Sequence, residues 1–242
     1  MKQNIKKTIT IVHLYPKEMN IYGDRGNLLT LTRRLEWHSY TPKVTPYSPG
    51  KPFPKEADIV IGGGGQDSGQ SKIQDDLLKI GGQLHKLADS GVPMLAICGL
   101  YQLFGRFFKT ADGDFIKGIE IFKAETHAGP KRLIGNIVIT TDFGEIVGYE
   151  NHSGLTILDD SQHILGAVKR GAGNNGTDHT EGAVYKNAYG SYLHGSLLPK
   201  NPVFADALIE AAVIKKYGEF EPQVIDDRFA NLARNVAMGR PR

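Results

Sequence analysis

The stretch Pro93-Met94-Leu95-Ala96-Ile97-Cys98-Gly99-Leu100-Tyr101-Gln102 decides the fold. Its first half is a short apolar run, Pro93–Ile97, of the length and character of a buried strand in a parallel sheet. Cys98 and Gly99 follow, and then apolar positions at helical spacing run on to Phe107. Strand, cysteine, glycine and helix in this order predict a sharp elbow. Such a turn lifts its central side chain above the carboxyl edge of the sheet, where open α/β folds bind ligands. Ala96 and Gly99 are the small neighbours an elbow needs. Free N–H groups and the dipole at the start of the helix favour a thiolate at Cys98, and the N–H of Gly99 is placed to meet a developing oxyanion. Composition alone would file a lone cysteine as a buried structural thiol; the elbow makes it a candidate nucleophile.

Upstream, the same alternation repeats. Thr8–Leu14 (TITIVHL) reads as a buried strand, and Leu28, Leu31 and Leu35 mark one face of a helix after the turn YGDRGN. Asp58–Ile61 is a second strand, running into four glycines, Gly62 to Gly65. Leu77, Ile80, Leu84 and Leu87 line a helix that stops at Ser90-Gly91. Repeated strand–helix units predict an α/β fold, a largely parallel sheet flanked by helices. The second half changes character: Phe115–Phe122, Arg132–Thr140 and Glu145–Tyr149 read as added strands and hairpins. Pro202–Tyr217 is a strong helix with Gly218 after its end. Residues 1–218 form the expected domain. Residues 219–242 are a polar extension, read as a frayed tail or as a partner-binding helix carrying Phe229, Leu232 and Val236.

With 242 residues, 40% hydrophobic and 23% charged, the chain is an ordinary globular protein with room for a full core. A net charge of +3, mildly concentrated at Lys2, Lys6, Lys7, Arg234, Arg240 and Arg242, is too small to argue for nucleic acid. One cysteine excludes an internal disulfide framework and a cysteine-based metal site. No apolar run is long enough to cross a bilayer, and the cytoplasm is the expected compartment.

A cysteine nucleophile needs a base. Of the eight histidines, His194 is the best placed, at the end of the short strand GSYLH; His127, His152 and His163 compete on sequence alone. The glycine run lacks the lysine of a P-loop and the spacing of a dinucleotide fingerprint, so a second oxyanion donor is its better reading.

Taken together and in order, YGDRGN (Tyr22–Asn27), GGGQD (Gly63–Asp67), ICGLYQLFG (Ile97–Gly105), RLIGNIVI (Arg132–Ile139), GYENHSG (Gly148–Gly154), GNN (Gly173–Asn175) and YLHGSLLPKNP (Tyr192–Pro202) resemble the class I, triad-type glutamine amidotransferases, in their CobB/CobQ-like branch. The resemblance implies a flavodoxin-like sheet and a Cys98–His194 dyad that hydrolyses glutamine. It also implies an oxyanion hole from Gly64 and the N–H after Cys98, and Arg132 as the group that binds glutamine's α-carboxylate. Two departures stand out. Ser196 occupies the place where many relatives carry a glutamate two residues after the histidine, so Asp24, otherwise a helix N-cap, is the acid expected to orient His194, with Glu150 behind it. Leu100 stands where relatives carry glycine and is expected to alter the elbow or the glutamine pocket.

The resemblance implies no cofactor in this chain. It implies a Mur-ligase-like (MurT-like) partner that binds ATP and Mg²⁺ and amidates D-glutamate of lipid II, so contact with the membrane comes only through that substrate. Cobyrinate or another carboxylate is the alternative acceptor, and a non-catalytic binding module is the alternative class.

Overall fold

A computed structural model describes residues 7–194 and 196–241; Lys2, Lys6, Gly195 and Arg242, all noted in the sequence, lie outside the described residues. The chain opens with β1 (Thr8–Leu14), α1 (Arg25–Trp37), β2 (Thr41–Tyr47), β3 (Ile59–Gly62), α2 (Asp67–Asp89), β4 (Met94–Ile97) and α3 (Gly99–Phe104). There follow β5 (Phe107–Lys109), β6 (Phe115–Lys117), and the long hairpin β7 (Ala124–Thr141) and β8 (Gly144–Leu158). Next come β9 (Gly166–Arg170), β10 (Thr180–Glu181), β11 (Ala183–Tyr185), β12 (Ala188–Ser191) and β13 (Leu193–His194). A 3₁₀ turn at Leu198–Lys200 leads into α4 (Pro202–Tyr217) and α5 (Arg228–Gly239).

Two sheets result. The first has the order β11-β12-β4-β3-β1-β2 and is parallel except for β11, which runs antiparallel to β12. Its central strands are buried on both faces, which is why β3 and β4 read as unbroken apolar runs. Helices cover it largely with the faces the spacing predicts: Leu28, Leu31 and Leu35 of α1 and Leu77, Ile80 and Leu84 of α2 are buried, Leu87 is half-buried, and Ile73 joins the buried face. Each such side chain contributes about 1.5–3 kcal/mol of burial. The second sheet runs β10-β9-β7-β5-β6, with β8 beside β7 and β13 beside β8.

The chain passes from one sheet to the other within three residues. Ser191 ends β12 in register with Ile97 of β4, and Leu193–His194 pair with Glu150 and Tyr149 of β8. The expected single strand GSYLH is thus two strands in two sheets. Glu181 fixes the crossover, its buried carboxylate accepting hydrogen bonds from Ser191 Oγ and the Tyr192 N–H, each at 2.8 Å.

Three expectations are corrected. The helix after Cys98 ends at Phe104, not Phe107, because Phe107–Lys109 pairs with β6 and with Glu125–His127 of β7. Of Phe115–Phe122 only Phe115–Lys117 is strand, while Ile119, Ile121 and Phe122 are buried in a loop. Leu100 does not enter the cleft; it is fully buried beneath the elbow against Gly62.

The extension is tied to the body of the domain. Arg34, buried on α1, donates to Asp206 of α4 and to Asp227 beside α5, each at 2.6 Å. Arg170 donates to Met238 O, and Arg234 to Glu145 O. The outward face of α5 carries Phe229, Leu232 and Val236, all exposed.

A Cβ on Gly62 would stand 2.3 Å from Leu100 Cδ2. Gly62→Ala is therefore expected to cost about 1–3 kcal/mol through overpacking. The penalty should largely vanish in the Leu100→Ala background, whose own cost is about 2–5 kcal/mol. A denaturant-unfolding double-mutant cycle checks this, and simple additivity would show that the two positions do not share the space.

Candidate active site

At Cys98 the backbone adopts φ 50° and ψ −108°, outside the basins that non-glycine residues prefer. Pairing on the flanking strand holds the elbow, with the Cys98 N–H donating to Ser191 O at 2.8 Å. Gln70 of α2 donates to Gly99 O at 3.0 Å and to Gln102 Oε1 at 2.7 Å, fixing the first turn of α3. The first N–H of that helix, on Gly99, has no acceptor within the helix.

His194 arrives from the second sheet and is fully buried. Its Nδ1 lies 3.1 Å from Asp24 Oδ1, so the carboxylate accepts the Nδ1–H and Nε2 is the nitrogen left for proton transfer. Nε2 is buried without a hydrogen-bond partner among the described residues. Burial by itself would push the imidazole pKa down; interactions with Cys98 and with the Asp24 carboxylate outweigh it, and the net shift is upward, to about 10.

Asp24 precedes α1 but makes no side-chain cap. Its second oxygen, Oδ2, accepts the Gly64 N–H at 2.7 Å. One carboxylate therefore joins the histidine to the glycine loop. A side chain at Gly64 has no room, since a Cβ there would stand 2.8 Å from His194 Cε1 and 3.1 Å from Cys98 Cβ. The expectation that the Gly64 N–H faces an oxyanion is not met, because Asp24 already occupies it. Gly65, which lines the cleft and whose N–H takes no hydrogen bond among the described residues, is the donor the geometry offers beside Gly99. Glu150 does not orient the histidine either; its carboxylate accepts the N–H groups of Ala172 and Gly173. Ser196 Oγ donates to Gly23 O at 2.7 Å, tying the histidine loop to the turn that carries Asp24.

Arg132 lies where the β7–β8 pairing slips, between Ala128 and Leu133. Such a bulge re-aims a side chain, and Arg132 comes to line one cleft with Cys98, Tyr22, Gln66, Gln102 and His152, about 80 Å³ in volume. Its guanidinium donates through Nε to Asn151 Oδ1 and through Nη2 to Asn151 O, both at 3.0 Å. Among the described residues Nη1 makes no hydrogen bond.

Sequence reasoning missed the polar floor. Gln102 Nε2 donates to Tyr192 Oη, which continues to Thr156 and Thr126, all buried. His152 stacks on Tyr192 with ring centroids 3.6 Å apart and donates from Nδ1 to Gly154 O. Burial pushes its pKa down to about 3, so it is neutral and is no rival to His194. The motifs ICGLYQLFG and GYENHSG contained these residues, but only the packing of the two sheets shows that they share a floor.

A cysteine at an elbow, a histidine held by an acid, and an arginine lining the same cleft as the cysteine make an arrangement that can carry out acyl transfer from a small amino-acid-like substrate. Residues 10–202 match the CobB/CobQ-like glutamine amidotransferase domain, and the chain belongs to that family. It is similar to the lipid II isoglutaminyl synthase (glutamine-hydrolysing) subunit GatD of Staphylococcus aureus, at 40% identity over 235 residues and 96% of both chains. The same subunit of Streptococcus pneumoniae is 40% identical over 220 residues, 89% of this chain and 85% of the relative. A probable cobyric acid synthase of Methanococcus maripaludis is 30% identical over 67% of this chain but only 35% of its own length. In fold, the chain matches the PurLQS structure from Thermotoga maritima with a TM-score of 0.57 at 13% identity, over 86% of this chain and 98% of that one. A Thermotoga maritima glutamine amidotransferase matches with a TM-score of 0.53 at 14% identity, over 96% and 94%. The architecture is that of the class I glutamine amidotransferases.

Because the folded-state pKa of His194 stands above the ordinary 6.5, the charged ring favours the folded state. That contribution is full below 6.5 and is lost as pH rises through about 10. Asp24→Asn removes one of the interactions that hold the pKa up, so the His194 titration, followed by NMR on labelled imidazole, is expected to move to lower pH. An unmoved midpoint would show that Asp24 does not hold the ring.

Proposed function

We propose that this chain is the glutamine-hydrolysing subunit of a lipid II isoglutaminyl synthase, supplying ammonia to a Mur-ligase-like (MurT-like) partner. The observation that carries the chemistry is the approach of Cys98 to His194, the Cβ of one and the Cε1 of the other both crowding the Cβ position of Gly64 while Asp24 holds the ring, beside a cleft that Cys98 and Arg132 line together. Arg132 presents a guanidinium edge to glutamine's α-carboxylate, which sets the side-chain amide over Cys98. The Cys98 sulfur attacks the amide carbonyl, and the N–H groups of Gly65 and Gly99 stabilise the oxyanion. His194 gives its Nε2 proton to the departing nitrogen, which leaves as ammonia, and the glutamyl group remains as a thioester on Cys98. Water then gives a proton to His194 and attacks the thioester; the Cys98 sulfur departs, and the acid formed loses its proton to solvent as glutamate, which returns the site to its starting state.

The acceptor is argued from the two relatives named as this subunit, each matched over most of both chains. In that reading ATP and Mg²⁺ are bound by the partner, which activates a carboxylate of D-glutamate on lipid II for amidation. The work is done at the cytoplasmic face, with the membrane reached through the lipid-linked substrate. Among the described residues no helix is long and apolar enough to cross a membrane. The exposed stripe on α5 offers such a partner an apolar surface.

Glutamate release from glutamine by the assembled complex tests the hydrolytic step. Cys98→Ala and His194→Ala are each expected to lower it at least about a thousandfold. The same Cys98→Ala complex should amidate lipid II from ammonium salt with ATP while failing to do so from glutamine. Unimpaired use of glutamine by Cys98→Ala would remove Cys98 from the reaction.

A further inference from the structure

Tyr22 has three unusual properties that the hydrolytic mechanism leaves unused. Its backbone sits at φ 54°, in the left-handed region that a bulky residue seldom occupies, at the turn that delivers Asp24. Its ring is 46% exposed, large for an aromatic lining a cleft. That ring nevertheless makes two specific contacts. It packs edge-on to His194, with ring centroids 4.9 Å apart and planes at 71°, and its hydroxyl lies 3.4 Å from Arg132 Nη2.

The two contacts face the two ends of the substrate. His194 serves the amide end and Arg132 the α-carboxylate end. With Nε and one Nη2 bond of Arg132 committed to Asn151, the hydroxyl of Tyr22 stands beside the part of the guanidinium left for a ligand. A glycine would adopt the same φ at no steric cost, so the backbone strain marks a place where the ring itself is required.

We propose that Tyr22 is a specificity-determining residue of this site, which rests on the reading that the cleft binds glutamine. Its hydroxyl joins Arg132 in holding the α-carboxylate, and its ring walls the cleft beside His194. Cys98 thereby reacts preferentially with electrophiles that carry an α-carboxylate at the correct distance from the carbonyl. A small uncharged electrophile does not use this contact.

The test compares two rates of Cys98 alkylation on the full chain. One reagent is a chloroketone analogue of glutamine that keeps the α-ammonium and α-carboxylate groups; the other is iodoacetamide. Wild type is expected to favour the analogue. Tyr22→Phe should lower the ratio of the two rates about tenfold, the effect of one lost hydrogen bond to a charged group, and Tyr22→Ala should lower it further. Equal slowing of both reagents would assign Tyr22 a purely structural role, and an unchanged ratio in both variants would remove it from specificity; either result overturns the proposal. A wild-type chain with no preference for the analogue would instead overturn the glutamine reading itself, and the proposal with it.

Discussion

The site depends on the two oxygens of Asp24. One accepts the proton of His194 Nδ1 and the other the N–H of Gly64, both in surroundings nearly closed to water. In such surroundings each charge-assisted bond is stronger and more directional than at the surface. The first bond commits Nδ1 and leaves Nε2 for proton transfer. The second draws the glycine loop against the ring and turns the Gly64 N–H away from the cleft. A single carboxylate thus sets the base and decides which backbone groups face the substrate.

The fold explains why the carboxylate must come from where it does. Cys98 stands at the end of a strand in the first sheet, whereas His194 and Arg132 belong to the second. Two sheets placed only by side-chain packing would leave their relative position to small shifts. The crossover at Ser191–Leu193, held by Glu181, joins them covalently a few residues from the histidine. The Asp24 turn, between β1 and α1, adds a second tie, and Ser196 a third through Gly23. Ser196, two residues after the histidine, thus serves as a tether between that loop and the turn that carries Asp24.

Much of this was legible in the sequence, for identifiable reasons. The parallel sheet announced itself because its strands are buried on both faces and its helices carry clean apolar stripes. Cys98 and Arg132 line one cleft, and His194 and Asp24 are bonded to each other beside it. Strand β2 was not legible: Thr41–Tyr47 contains Pro42 and Pro46, and it is tolerated because it pairs with β1 alone at the sheet's edge. Helix α5 was legible only as one of two readings, a helix or a frayed tail, because it buries no residue and is held by polar bonds involving Arg34, Arg170 and Arg234. The exchange of Gly64 for Gly65 as the free donor was out of reach, since it depends on which amide Asp24 captures. Leu100, singled out in the sequence, is buried against Gly62 and is not among the residues that line the cleft.

The central claim is that Cys98 carries the glutamyl group as a thioester between two proton transfers by His194. Acid quenching of the working complex during turnover with glutamine, followed by peptide mass mapping, tests it most directly. The account predicts a glutamyl adduct confined to the peptide containing Cys98 and lost in Cys98→Ala. Steady glutamate release with the adduct on another residue would contradict it.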